Sequence, residues 1–379
     1  MNTKILIHSC LCLAFLLLIP GLNAQEEEKS EVKIGGSLRF NYNLSNWKPE
    51  QQKRGGDFGF DLFRINAIAK YKKIILNAEY RQYSEGFGGG MLKQGWLEYK
   101  PSEKATIHLG LTQVPFGIQK YNSHNWFFNL PYYVGLEDDH DMGIKYIHQG
   151  ERSQLQIAFF KNAEELNFGN TSDISYRRYS YDVSGRNKET NQGNFKWSYL
   201  AGADKSSNIS ISLMYGGLYN RITQKMGSHY AAALSYELNK GPFNLKLQSL
   251  IYKKAVNDSS QYENYIEMAA YNYPYQVAAQ AMVHTLGIAY SIPVSWGPVS
   301  SLQLYNDFGI MQKAEDSFHD TYMNVLGCLL TAGNVYTYVD AAFGKNNPWL
   351  GPDWTVGLSL GNPNAEWHMR FNINIGYYF

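Results

Sequence analysis

The strongest constraint on the fold is an alternation of apolar and polar residues with a period of two, sustained over unusually long segments. From Ile34 to Leu44 the even positions are apolar or glycine, and the odd positions between them are polar or glycine. The same alternation runs from Trp367 to Phe379. Strands of soluble proteins are typically about five or six residues long, whereas a tilted strand needs about 9–11 residues to cross a bilayer. The pattern therefore predicts membrane-spanning strands with one face toward lipid and the other toward a polar interior.

Sixteen segments of the sequence show this alternation, over longer or shorter stretches of residues. They predict an all-β fold, a transmembrane antiparallel β-barrel of about 16 strands, with 18 as the alternative. Short and long connections alternate along the chain, as in outer-membrane barrels. Gly333-Asn334 suits a two-residue hairpin turn, which requires positive φ. The predicted strands are 34–45, 58–71, 74–83, 92–100, 105–115, 142–148, 154–162, 194–202, 208–219, 229–238, 243–253, 284–292, 299–311, 322–332, 335–344 and 366–379.

Composition and charge exclude several other classes of protein. The chain has 379 residues, of which 18% are charged, 30 are Tyr, 19 are Phe and 34 are Gly. So many aromatic residues argue against disorder, and a mean hydropathy of −0.38 argues against a bundle of membrane helices. Three Cys are too few for a disulfide scaffold. A net charge of +1 gives no reason to expect a nucleic-acid partner.

The first 24 residues predict a secretory signal peptide. Lys4 supplies a positive start, Leu11 to Ile19 an apolar core, and Ala24 a small residue at the expected cleavage point. The apolar stretch is too short to span a membrane as a helix. The predicted organisation is a signal peptide over 1–24, a short periplasmic segment over 25–33 and an outer-membrane β-barrel over 34–379.

The polar face of the predicted strands would line the interior of the barrel. Near Leu62 and Phe63 the apolar phase slips, which indicates a β-bulge and leaves the direction of Arg64 open. The predicted pore-lining residues are Arg39, Asn41, Arg64, Glu79, Arg81, His108, Lys145, Lys246, Arg370 and Asn372.

Several local motifs resemble one known group of barrels. They are Phe63 to Ala67, Ile75 to Tyr80, Trp96 to Pro101, Leu109 to Gly117, Tyr305 to Asp307, Gly344 to Gly351 and Arg370 to Phe379. On these residues the chain resembles the phosphate-selective porin O/P family, and its C-terminal half resembles the variants of Bacteroidetes-type bacteria. The resemblance implies a 16-stranded porin, usually a homotrimer, whose third outer loop folds inward and narrows the pore.

The third long connection, near 116–141, is the constriction loop by this resemblance. Its candidate residues are His124, Trp126, Glu137, Asp138 and Asp139. Anion-selective members of the family carry arginines and lysines along the pore, whereas the inward-facing charges here are mixed and the loop is acidic. Phosphate specificity therefore does not follow from the resemblance.

The acidic run from Glu137 to Asp141 has the oxygen ligands that Ca²⁺ prefers. It lacks the spacing and glycine of an EF-hand loop, so we predict a solvated or pore-facing loop and no metal. A nucleophile elbow and the common metal, nucleotide and redox motifs are absent from the sequence. We therefore expect no enzymatic activity and no cofactor.

Phe379 and Tyr377 end the last alternating segment with aromatic residues. Such an end resembles the C-terminal signature that the barrel-assembly machinery reads, and we interpret both residues as that signal.

The sequence thus predicts a porin of the bacterial outer membrane for passive diffusion of small hydrophilic solutes, with anions such as phosphate as one candidate class. Its expected partners are outer-membrane lipids, those solutes, two further copies of the chain in a homotrimer and the barrel-assembly machinery. An outer-membrane receptor or adhesin that binds a partner through long outer loops is the main competing hypothesis. A barrel enzyme and a soluble secreted β-sandwich are two more hypotheses that the sequence leaves open.

Overall fold

The computed structural model describes residues 31–164 and 175–379. The predicted signal peptide over 1–24 lies outside the described residues, as do residues 25–30. The first strand begins at Glu31, so residues 31–33 of the expected periplasmic segment belong to the barrel.

Sixteen antiparallel strands close into one barrel, so the predicted number is confirmed over the alternative of 18. The first and last strands complete the ring, with Ser37 opposite Tyr378 and Ser45 opposite Arg370. In chain order the barrel strands are β1 (Glu31–Ser45), β2 (Asp57–Tyr71), β3 (Ile74–Gln82), β4 (Gly90–Ser102), β5 (Ala105–Gln113), β6 (His140–Gln149), β7 (Ser153–Ala163), β9 (Asn187–Ala201), β10 (Ser207–Asn220), β11 (Met226–Lys240), β12 (Phe243–Ala255), β15 (Gln280–Trp296), β16 (Val299–Lys313), β17 (Thr321–Ala332), β18 (Val335–Lys345) and β19 (His368–Tyr378).

The remaining elements lie in the long connections. Three strands, β8 (Asp182–Val183), β13 (Tyr265–Ala270) and β14 (Tyr273–Ala278), form a separate sheet in the order β14-β13-β8. The α-helices are α1 (Pro49–Lys53) and α2 (Leu130–Tyr133), and two 3₁₀ helices cover Glu85–Phe87 and Ser260–Tyr262. Neither α-helix is long and apolar enough to cross a membrane.

The outer face of the barrel is apolar, as the alternation predicts. Leu109, Leu234 and Leu326 are each 58% exposed, whereas their sequence neighbours His108 and Ser235 are buried. Each exposed square ångström of apolar surface costs roughly 25 cal/mol in water, and lipid removes that cost. The closed barrel with its lipid-facing surface is that of a bacterial outer-membrane protein, as predicted.

The phase slip in the second strand is a β-bulge. Arg39 of β1 pairs with Leu62 of β2, but the next residue, Phe40, pairs with Phe60. Leu62 turns inward and is buried with Tyr83. Beyond this extra residue the alternation resumes, so that Phe63 is exposed on the outer face and Arg64 lines the interior.

Short turns and long loops lie on opposite ends of the barrel. The turns at 72–73 and 333–334 lie on the short-turn side, and Gly333 has the positive φ of 57° that a hairpin of this length requires. Five connections on the other side matter below, and we number them as outer loops: L2 (83–89), L3 (114–139), L4 (164–186), L6 (256–279) and L8 (346–367).

An apolar core fills part of the barrel at the long-loop end. Met268 of β13 and Val277 of β14 are fully buried, as are Leu130 of L3 and Leu350 of L8. These side chains pack against inward-facing apolar residues of the wall such as Val283. Because burying a side chain of this size contributes about 1.5–3 kcal/mol, the packed loops form a stable internal layer.

Candidate functional site

L3 folds into the barrel and follows its inner wall. Its base is closed by a bond from the Val114 amide to the Asp139 carbonyl, 2.9 Å. The amide of Gly117 then donates to Ser212 Oγ of β10 at 3.1 Å, and the amide of Ile118 donates to Gln248 Oε1 of β12 at 2.8 Å. The segment predicted at 116–141 thus lies inside the barrel, and its role as a constriction stays a prediction. Its bounds differ slightly, since β5 ends at Gln113 and β6 begins at His140.

Asp307 of β16 is the main polar anchor of L3. Its carboxylate accepts bonds from the His124 amide at 2.7 Å, His124 Nδ1 at 2.8 Å, the Asn125 amide at 3.1 Å and Asn125 Nδ2 at 2.7 Å. Gly287 of β15 lies beneath this contact, and a Cβ there would lie 2.6 Å from Asp307 Oδ1 and 3.1 Å from His124 Cε1. The wall therefore needs a glycine where the loop approaches it most closely.

The second half of L3 is held by α2 and the apolar core. Asn129 caps α2 by accepting the Leu130 amide at 2.7 Å, and its Nδ2 donates to the Phe308 carbonyl of β16 at 3.1 Å. Pro131 lies at the start of the helix, where its missing N–H has no cost. Since all four residues of α2 are buried, the loop is fixed to the β15–β16 side of the barrel.

The opposite side of the barrel remains open as a cavity of about 1070 Å³. The cavity lies between L3 and a wall made by β18, β19, β1, β2 and β3. Its lining includes Phe87 of L2 and Trp349 of L8 on the long-loop side. On the other side it includes Tyr336 and Tyr378, and the Tyr378 amide bonds to Asn334 in the turn at 333–334. The cavity lining therefore includes residues on both the long-loop side and the short-turn side of the barrel.

Positive charge prevails in the cavity lining. Five cationic side chains and two carboxylates line it, which gives a formal charge of +3; they are Arg39, Arg64, Arg81, Lys120, Arg370, Asp57 and Asp61. Arg39 is paired with Asp61 at 3.0 Å, and Arg81 with Glu79 at 2.6 Å. Arg370 instead donates to Ser45 Oγ at 3.2 Å, and no carboxylate of the described residues lies within ion-pair distance of it.

Aromatic side chains form most of the remaining surface. They account for 17 of the 30 lining residues, against 15% of the whole chain, so the enrichment is specific to this cavity. L3 contributes Tyr121, Trp126 and Phe128, and the wall contributes Tyr338 and Tyr378.

The lining contains seven of the residues singled out from the sequence: Arg39, Asn41, Arg64, Arg81, Arg370, His124 and Trp126. The other predicted pore-lining residues are bound elsewhere. His108 stacks on Trp96 at 5.0 Å, and Lys145 Nζ donates to the Gln113 carbonyl at 2.7 Å. Lys246 Nζ lies behind L3 and donates to its backbone, Asn372 is fully buried, and Glu79 serves as the partner of Arg81.

The acidic run does not face the cavity, contrary to the prediction. Glu137, Asp138 and Asp139 are all buried. Burial raises the pKa of Glu137 to about 8, although the Asn122 amide donates to its carboxylate at 2.8 Å. Burial also opposes ionisation of Asp138, but Lys93 at 2.8 Å, His140 and the Tyr179 hydroxyl together outweigh it and lower the pKa of this carboxyl. The run is therefore part of the internal layer and leaves the cavity positive.

One group of acidic side chains among the described residues has the spacing of a metal site. Ligand oxygens of Asp139, Asp141 and Asp182 all lie within 4.8 Å of one another, and the three residues are buried. Burial and neighbouring carboxylates raise the pKa of Asp139 and Asp182 well above the ordinary range. This environment favours neutral carboxyl groups, and our expectation of no metal stays a prediction.

Several residues of the site were not predicted. The anchoring role of Asp307 was missed because its partners, His124 and Asn125, are more than 180 positions away in the sequence. Lys120 and Tyr121 were missed because a loop has no alternation from which the direction of a side chain can be read. Tyr338 and Tyr378 could have been found, since they lie on the inward phase of their strands.

No family model matches this sequence, and no curated protein matches it. Similarity appears among solved structures. The anion-selective porin from Comamonas acidovorans is 14% identical with a TM-score of 0.59, over 93% of this chain and 100% of that one. The outer membrane channel DcaP of Acinetobacter baumannii is 11% identical with a TM-score of 0.58, over 94% and 99%. OmpF of Salmonella typhi is 10% identical with a TM-score of 0.62, over 92% and 97%. At these identities the similarity shows the fold, which is the sixteen-stranded barrel of outer-membrane porins.

Proposed function

We propose that this chain is an outer-membrane channel through which small hydrophilic solutes diffuse passively, with anions favoured over cations. The observation that carries the proposal is the cavity, whose lining extends from Phe87 of L2 and Trp349 of L8 to Tyr336 and Tyr378 near the turn at 333–334. L3 narrows this path from one side, while the wall of β18, β19 and β1 to β3 bounds it on the other. Diffusion through such a path needs no cofactor and no chemical step, so we propose a channel and not an enzyme.

The anion preference is supported by the charge of the lining. Fixed positive charges in a narrow passage with apolar walls concentrate anions and repel cations. Arg370 and Lys120 contribute most, because no carboxylate of the described residues pairs with them. The porin of Comamonas acidovorans, which shares the fold, is described as anion-selective. Phosphate is one candidate anion.

The remaining partners belong to the same proposal. A homotrimer follows from the resemblance described above, and one structural neighbour, OmpT of Vibrio cholerae, is described in a trimer form. A chain of this kind would carry the proposed signal peptide over 1–24 and would be inserted by the barrel-assembly machinery. The receptor hypothesis has less support, because L3, L6 and L8 pack against one another inside the barrel.

The test is the reversal potential of the purified protein in a planar bilayer under a KCl gradient. We expect stepwise conductance and a reversal potential on the anion-selective side. Replacing both Arg39 and Arg370 by Ala should lower the anion-to-cation permeability ratio at least about 3-fold, since a charge about 8 Å from the ion contributes roughly 0.5–2 kcal/mol. The matched control replaces Lys104 and Lys205, two exposed lysines of the short turns, by Ala.

A reversal potential on the cation-selective side would agree with a channel but contradict the proposed anion preference. An unchanged ratio in the double arginine variant would remove those arginines from the selective part of the pore. A folded protein without any conductance would contradict the proposed function itself.

A further inference from the structure

The aromatic rings of the cavity form a continuous track. Tyr121 contacts Phe128 with their ring centroids 5.3 Å apart, and Phe128 stacks on Tyr132 at 4.0 Å. Tyr132 then contacts Tyr181 at 5.2 Å, and Tyr181 contacts Tyr271 at 6.1 Å. All five residues line the cavity, and we call them the ring track.

The track leads toward the long-loop end of the cavity. There Phe87 of L2 and Trp349 of L8 also line the cavity, with their rings stacked at 6.4 Å. Tyr121 of L3 and Phe87 of L2 are open to the cavity, since they are 42% and 43% exposed. Apolar ring surface facing water is unfavourable, whereas a ligand that covers it would gain free energy.

Cations lie beside the rings. The guanidinium of Arg81 is 4.4 Å from the centroid of the Tyr179 ring, and Lys120 is next to Tyr121 in L3. Lys120 is exposed, and it has no ion-pair partner among the described residues. The cavity therefore combines apolar faces with a cationic group, Lys120, that is available to a ligand.

This combination selects a class of solute. An inorganic anion has charge but no apolar surface, so the ring track would not contribute to its binding free energy. A neutral apolar compound would gain from the rings but not from the charges. An organic cation could stack on the rings, but a lining with a formal charge of +3 repels it. Ligand sites that are mostly aromatic, with a few placed polar groups, characteristically bind compact organic molecules within about 300–1000 Å³, and this cavity offers about 1070 Å³.

Building on the proposed channel, we propose that its preferred solutes are organic anions with a flat apolar face. The ring of the solute stacks on an exposed ring of the cavity, Tyr121 or Phe87, and its anionic group meets Lys120 or Arg370. Aromatic carboxylates and anionic sugars share this chemistry, since both combine a carboxylate with a ring that stacks on aromatic side chains.

The test measures how strongly different anions block the chloride current of single channels. The anions are benzoate, glucuronate, acetate and inorganic phosphate. We expect benzoate or glucuronate to block at concentrations at least about 10-fold lower than acetate or phosphate. The stronger of the two identifies the source, an aromatic or a sugar anion.

Two variants test exposed rings of the cavity, Tyr121 of the ring track and Phe87 of L2, where a substitution is least harmful to folding. Tyr121→Leu and Phe87→Leu should each lower the ratio of benzoate affinity to acetate affinity by roughly 2- to 10-fold, the value of one aromatic pair. The control is Tyr290→Leu, a lipid-facing tyrosine that is 50% exposed on β15, and its ratio should equal that of the wild type.

Equal block by benzoate, glucuronate and acetate would overturn the inference and leave the channel intact. Strongest block by phosphate would do the same. An unchanged ratio in both Tyr121→Leu and Phe87→Leu would also overturn it. Absence of any chloride current would instead contradict the proposed function, so the two failures are distinguishable.

Discussion

Replacing Asp307 by Ala should release the middle of L3 from the wall. Asp307 is buried and accepts four hydrogen bonds from His124 and Asn125. Its loss leaves four donors of the loop without an acceptor. A donor left unpaired in a buried place costs about 1–3 kcal/mol. Because the cavity can rehydrate some of these donors, we take the lower value and expect a total of about 4 kcal/mol.

This amount is comparable to what otherwise holds this part of L3, where Lys246 Nζ donates to the carbonyls of Tyr121 at 2.9 Å and Ser123 at 3.0 Å. The bonds from Gly117, Ile118 and Asn122 to the wall involve neutral groups and contribute about 1 kcal/mol each. A loss of about 4 kcal/mol changes the ratio of docked to released loop by roughly a thousandfold. The constriction should therefore open or fluctuate in Asp307→Ala.

The assay combines single-channel recording with swelling of liposomes in sugars of increasing size. Asp307→Ala should give larger and noisier steps and admit larger sugars than the wild type. Asp307→Asn keeps one carbonyl acceptor and should be intermediate. Asp340→Ala should have a smaller effect, because Asp340 reaches L3 only through the Trp126 amide at 3.4 Å. Identical steps and exclusion limits in folded Asp307→Ala would refute the reasoning and show that the apolar core and the other hydrogen bonds to the wall hold the loop without Asp307.

Three further predictions concern the loop and the barrel end. Burial raises the pKa of Glu137 to about 8, so the folded protein favours the neutral carboxyl group. The free energy of unfolding is therefore unaffected by this group below about pH 4.5, and it falls by up to about 5 kcal/mol as the pH rises to 8. Thermal unfolding of Glu137→Gln should thus show a smaller decrease between pH 5 and pH 8.5 than that of the wild type, and an equal decrease would contradict this role. Gly287→Ala places a Cβ 2.6 Å from Asp307 Oδ1, so the conductance steps of this variant should change in the same direction as those of Asp307→Ala. Conductance steps equal to those of the wild type would mean that the barrel wall shifts to accommodate the Cβ. Phe379→Ala should lower the amount of folded barrel in the outer membrane without lowering refolding in detergent, and an unchanged amount in cells would reject the assembly signal.

The barrel itself was predictable because the lipid on one side and the polar interior on the other impose a period of two. The segments predicted at 34–45 and 299–311 correspond to β1 and β16 with shifts of three residues or fewer. Even the bulge at Leu62 left a trace, because one extra residue shifts the phase of every residue after it.

The structure inside the long-loop end of the barrel was less predictable. The segment 254–283 was expected to be a loop, but it contains β13 and β14. Neither strand shows the alternation of apolar and polar residues, because both are largely buried inside the long-loop end of the barrel and β14 contains Pro274. The predicted position of the acidic run was wrong for a similar reason. Its partners Lys93 and Tyr179 are more than 40 positions from Asp138, and no local pattern predicts that they meet.

The pairing of β1 with β19 has a consequence for how the chain folds. Ser37 and Tyr378 are 341 positions apart, so their pairing closes the longest loop in the barrel. The entropic cost of that closure grows only with the logarithm of length and is about 5 kcal/mol. Every other barrel pair can form as a hairpin between neighbours in the sequence or between strands separated by one outer loop. Closure therefore comes last, and until then β1 and β19 are two open edges, each with a row of unpaired amides and carbonyls that can pair with another chain. The intermediate that precedes closure is thus the species most exposed to aggregation, and mutations that slow the pairing of β1 with β19 should reduce yield more than they reduce the stability of the finished barrel.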